Sequence, residues 1–103
     1  MDRIVLLESF IKDDPNDPFN YYGLALEYQK LNHSKCDEYF EILLEKFPEY
    51  LPTYYTAAKH WEENRPDLAT ETYEKGIALA QKQQNLKTLN ELKNALLNFS
   101  FDD

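Results

Sequence analysis

The chain has 103 residues, length for one small domain, and its net charge of −8 argues against nucleic-acid phosphates or an anionic membrane surface as partners. Its 43% hydrophobic and 15% aromatic content exclude a disordered chain, and 2 Gly are too few for a sheet protein with many tight turns. Cys36 is the single cysteine, so no internal disulfide is expected, and the count gives no sign of secretion.

Apolar spacing predicts helix almost throughout. The first predicted helix covers residues 3–13, with Ile4, Leu7, Phe10 and Ile11 on one stripe. Arg3, Glu8 and Lys12 interrupt it, so this stretch reads neither as a signal peptide nor as a membrane span, and a cytoplasmic protein is expected. At "NDPFN", Asp17 is placed to cap a second helix and Pro18 to open it. Tyr21, Leu24, Ala25 and Tyr28 follow at i, i+3, i+4, i+7. A third helix is expected from Ser34, with Asp37 three residues on in a capping-box pattern. Cys36, Phe40, Leu43, Leu44 and Phe47 form its stripe, and Pro48 ends it. Pro52 opens a fourth helix carrying Tyr54, Ala57, Ala58 and Trp61. Pro66 opens a fifth carrying Ala69, Tyr73, Gly76, Ile77 and Ala80. A sixth over 86–98 holds Leu86, Leu89, Leu92 and Leu96, with "NFSFDD" expected to fray. Short connections between these helices predict an antiparallel all-α array.

The chain repeats itself 33 residues on. Pro15 recurs as Pro48, Tyr21 and Tyr22 as Tyr54 and Tyr55, Ala25 as Ala58, Tyr28 as Trp61, Cys36 as Ala69 and Phe40 as Tyr73. Leu7, Phe10 and Ile11 align one repeat upstream of Phe40, Leu43 and Leu44. Leu89, Leu92 and Leu96 align at offset 35 on Tyr54, Ala57 and Trp61, as the first helix of an unfinished third repeat. A two-helix unit of this period points to a helical solenoid, in which small residues let helices cross closely and neighbours cover what one repeat leaves open. The expected organisation is a single domain over 1–103: an N-terminal cap helix 3–13, repeat one 17–47, repeat two 51–83 and a C-terminal cap helix 86–98.

With Tyr21, Leu24-Ala25, Tyr28, Cys36, Phe40, Leu43 and Pro48 in one copy, and Tyr54, Ala57-Ala58, Trp61, Ala69, Tyr73 and Gly76 in the other, the chain resembles the tetratricopeptide repeat family over residues 3 to about 97. It departs from the family pattern in having repeats one residue short, no Gly in the small pair, and no Pro after the second repeat. The resemblance implies a right-handed helical-hairpin solenoid of about six helices that binds a protein segment in a concave groove.

No residues converge on catalysis. His33 and His60 do not share i, i+4 spacing and no second Cys or His joins them, so no metal site, cofactor or enzymatic activity is expected. Cys36 sits at a small-residue packing position, which predicts an inert buried thiol. "KDDPNDP" lacks the ligand spacing and Gly of a calcium loop. Gly23 in mid-helix costs roughly 1 kcal/mol relative to Ala, and nothing in the sequence accounts for it.

A second stripe remains on the first helix of each repeat: Tyr22, Leu26 and Gln29, then Tyr55, Lys59 and Glu62, with Phe19 at its start. The resemblance places this stripe on the partner-binding groove. The alternative is that Tyr22 and Tyr55 cover neighbouring helices. Lys59 is the one cation at these positions, so a family-type clamp on a terminal carboxylate is mostly absent. The leading expectation is a non-enzymatic module that binds another protein or peptide. The runner-up is a self-assembling structural protein, a homodimer through cap or groove that would hide Phe99 and Phe101.

Overall fold

The computed structural model describes residues 2–101, except the Phe101 side chain. Six helices lie among them: α1 (Arg3–Asp13), α2 (Pro18–Lys30), α3 (Lys35–Lys46), α4 (Pro52–Trp61), α5 (Pro66–Lys82) and α6 (Leu86–Phe101). No strand occurs among the described residues. Residues up to Tyr50 gather into one compact unit and those from Leu51 into another.

In the first unit α1 packs on α2 and α2 on α3. Asp2 begins α1 by accepting the Ile4 N–H at 3.0 Å. Asp17 caps α2 as expected, its Oδ1 accepting the Phe19 N–H at 3.0 Å, and Pro18 fills the first turn, where a missing N–H costs nothing. The start of α3 differs from expectation. Ser34 has helical backbone angles and makes no side-chain cap; the preceding imidazole, His33 Nδ1, accepts the Lys35 N–H at 3.1 Å instead. Leu24, Ala25, Phe40 and Leu43 are completely buried. Each large apolar side chain so buried is worth about 1.5–3 kcal/mol in transfer from water. Around them the rings form a layer. Tyr21 lies 5.3 Å from Phe47, and Tyr28 stacks nearly parallel on Tyr39 at 5.8 Å. The Tyr21 hydroxyl donates to the Pro15 carbonyl at 2.9 Å, fixing the α1–α2 turn. Glu27 ties α1 to α2, pairing with Arg3 at 3.4 Å and Lys30 at 3.1 Å. The Lys30 hydrogen bond lowers its carboxyl from the ordinary value; burial opposes this, and the charges of Lys30 and Arg3 add to the lowering.

Gly23 has its account here. A Cβ at this position would stand 3.1 Å from Leu7 Cδ2, so its absence lets α1 lie close on α2.

In the second unit α4 packs on α5 and α5 on α6. Trp61 is buried with the Arg65 guanidinium 5.3 Å above its ring. Gly76 allows the closest crossing, since a Cβ there would fall 2.6 Å from Tyr54 Cβ. Asn85 opens α6, its Oδ1 accepting the Thr88 N–H at 3.1 Å. The expectation that "NFSFDD" frays is corrected over its described part: α6 continues to Phe101, three residues past the expected end. The reason is packing, for the Phe99 ring lies 6.4 Å from that of Tyr73 and is half-buried. Asp102, Asp103 and the Phe101 side chain lie outside the described residues.

Candidate functional site

The stripe chosen from the sequence falls on two helices, one in each unit. On α2, Phe19 occupies the first turn and is 63% exposed. Tyr22, Leu26 and Gln29 are half-buried on the same helix. The Tyr22 ring meets Tyr50 edge-on at 5.8 Å. On α4, Tyr55 and Lys59 are exposed, whereas Tyr54 beside them is buried. Glu62 sits just past the helix end, half-buried, and accepts the Tyr73 hydroxyl at 2.6 Å. That bond sets Glu62 apart from Tyr55 and Lys59, because its carboxylate is engaged with a core side chain. Burial first, then the Glu62 hydrogen bond and charge, push the Tyr73 phenol far above its usual range, so it stays a donor.

Two kinds of contributor escape the repeat pattern. Tyr50 stands outside the aligned stripes, and its counterpart 33 residues on is Gln83. It nonetheless joins Tyr22, and its phenol is pushed upward by burial and by neighbouring Tyr22 and Asp17. Asn20 and Thr53 are aligned copies of one position, and both are buried. The Thr53 hydroxyl has no hydrogen-bond partner. Their polarity hides them from a search for apolar stripes, though the 33-residue offset marks them as equivalent.

Among the described residues no group of three His, Cys, Asp or Glu side chains is placed to hold a metal. Cys36 is buried, and desolvation, helped by Asp37, pushes its thiol up to about 11, far from nucleophilic use at neutral pH. No described helix is long and apolar enough to cross a membrane.

No family model matches the chain, and neither does any curated protein. Solved structures do, among them the following two. The solution structure of a tetratricopeptide repeat domain protein from Salinibacter ruber is 42% identical, with a TM-score of 0.77, over 84% of this chain and 89% of that one. A crystal structure of a tetratricopeptide repeat domain protein from the same organism is 38% identical, with a TM-score of 0.79, over 84% of this chain and all of that one. Identity at this level, over an all-α chain whose small and aromatic residues recur in step, means that the chain belongs to the tetratricopeptide repeat family, helical repeat modules generally used for protein–protein interaction and typically non-enzymatic.

Proposed function

We propose that the protein is a binding module that holds a peptide or helix of another protein along the first helices of its repeats. The observation that carries this reading is the recurrence of an incompletely covered tyrosine, Tyr22 and Tyr55, directly after a buried one, Tyr21 and Tyr54. A partly uncovered ring offers a partner apolar area at low entropic cost. Phe19, Leu26 and Gln29 extend the surface on α2. Lys59 supplies a cation to orient an acidic group of the partner, while Glu62 contributes through the fixed geometry of its bond to Tyr73.

Affinity capture from a native extract tests this, comparing wild type with a Tyr22→Ala, Tyr55→Ala double variant whose helicity is verified by circular dichroism. A protein recovered by wild type and lost by the double variant is the expected result. Equal recovery by both baits would end the assignment. Self-assembly has weaker support than its starting observation suggested, since Phe99 packs on Tyr73 within its own unit.

A further inference from the structure

The second unit ends on a helix that is half of a repeat. At the 35-residue offset that sets Leu89, Leu92 and Leu96 on Tyr54, Ala57 and Trp61, α6 is the equivalent of α4, the first helix of a hairpin. One side of α6 lies on α5: Leu92 is fully buried, and its Cδ1 stands 3.1 Å from where a Cβ on Gly76 would fall. Another side differs from its equivalent on α4. There Leu51 and Ala58 are 6% and 0% exposed, and Glu62 is bonded to Tyr73 of α5. At the same positions of the offset, α6 has Leu86, 69% exposed, Lys93, exposed, and Leu97, 55% exposed. These three fall at i, i+7, i+11 and so share one side of the helix, over about 16 Å at 1.5 Å per residue. In the complete repeat this side is covered by a second helix.

The charge on this side selects an occupant. Lys93 stands where α4 has alanine, and it has no ion-pair partner among the described residues. Glu91 does not serve, because residues two apart on a helix point to different sides. Over its length α6 sets two lysines, Lys87 and Lys93, against one glutamate, so it is locally positive in a chain of net charge −8. A purely apolar helix laid on Leu86 and Leu97 would take the Lys93 ammonium out of water with no counter-charge, at a cost in free energy. A helix with a carboxylate opposite Lys93 supplies that counter-charge. A second copy of the chain does not. Its α1 is the equivalent of α3 and α5, yet it has Arg3 where they have Cys36 and Ala69, and it would bring another cation to this face. The half-repeats at the two ends therefore do not complete each other.

We propose that the uncovered side of α6 completes a third repeat with an amphipathic helix of another protein. That helix runs antiparallel to α6, in the sense in which α5 returns along α4. It sets aliphatic side chains against Leu86 and Leu97 and an aspartate or glutamate against Lys93. The surface includes no residue of the Tyr22 and Tyr55 stripe, and it stands whether or not that stripe binds.

The test is a titration of isotope-labelled protein with a capped helical peptide built on alanine and glutamine, followed by amide nuclear magnetic resonance. The peptide has leucine at i and i+11 and glutamate at i+4; its control has lysine in place of the glutamate. The glutamate peptide is expected to shift the amides of Asn90, Lys93, Asn94 and Leu97 in a saturable way. The lysine peptide should bind about threefold more weakly at low salt, in keeping with a partly exposed pair. Lys93→Glu should reverse that preference, which a mere loss of structure would not do. Leu97→Ser alters an exposed side chain, so α6 should persist while the glutamate peptide weakens about tenfold. The Tyr22→Ala, Tyr55→Ala double variant should bind as wild type does, so that failure here and failure of the groove reading are told apart. Absence of saturable shifts on α6, or a preference that Lys93→Glu leaves unreversed, would overturn the proposal. So would a concentration-dependent dimer that moves the same amides without peptide, since the occupant would then be a second copy.

Discussion

Gly76 and Gly23 both sit inside a helix that another helix crosses, yet they should answer differently to an added methyl group. At Gly76 the obstacle is Tyr54 Cβ at 2.6 Å, an atom fixed to the α4 backbone, so Gly76→Ala forces the two helices apart. Overpacking of this kind costs about 1–3 kcal/mol and exceeds the roughly 1 kcal/mol gained in helix propensity. At Gly23 the obstacles are the two methyl carbons of Leu7 at 3.1 and 3.2 Å, the far end of a side chain rather than backbone, so a shift of a few tenths of an ångström would relieve them. Gly23→Ala should therefore lie between neutral and about 1 kcal/mol more stable. Urea denaturation of the two variants checks this order; a stabilised Gly76→Ala would mean that Tyr54 yields freely. The sequence held Gly76 in a small-residue register but offered no reason for Gly23, because the reason is a leucine on another helix. The Glu62–Tyr73 bond was hidden for the same cause. Its partners are eleven residues apart, and only the return of α5 along α4 brings them together. Of the candidate site, the helices and the residues on them could be read from the repeat. Which rings stay uncovered could not, since exposure is set by what packs alongside.

Two helices end in the same way without the residue that usually serves. After α2, Asn32 adopts φ 52°, its N–H bonding the Gln29 carbonyl while the His33 N–H reaches back to Tyr28. After α5, Gln84 adopts φ 57°, with the Gln81 and Ala80 carbonyls engaged by Gln84 and Asn85. These are Schellman closures, in which glycine has no steric penalty and other residues do. Gln84→Gly should raise stability by about 1 kcal/mol, visible as a higher melting temperature. Asn32→Gly should raise it less, because asparagine tolerates the left-handed region better than glutamine. A destabilised Gln84→Gly would show that its side chain makes contacts outweighing the backbone strain. The prolines and Asp17 made the starts of α2, α4 and α5 readable, since each acts locally on the first turn. Ser34 misled because its hydroxyl competes with an imidazole one residue earlier, and the end of α6 was misjudged because a polar-looking tail hid the contact of Phe99 with Tyr73.

At the scale of the chain, each compact unit is close to the size at which a lone hydrophobic core is marginal. Repeat proteins answer this by coupling nearest neighbours, so that opening of one repeat costs the stability of the next. Native-state amide exchange is the direct measurement. If the chain folds as one, the best-protected amides of α2 and α3 should open with the same free energy as those of α4 and α5, within about 1 kcal/mol. Clearly separate values would mean two units that stand independently.

Trp61, the only tryptophan, lies in the second unit at 1% exposure with Arg65 over its ring. Its emission should be blue-shifted relative to free tryptophan and poorly quenched by dissolved acrylamide until that unit opens. The ultraviolet fluorescence of this protein is thus a one-sided instrument. It watches the half that holds Tyr55 and Lys59.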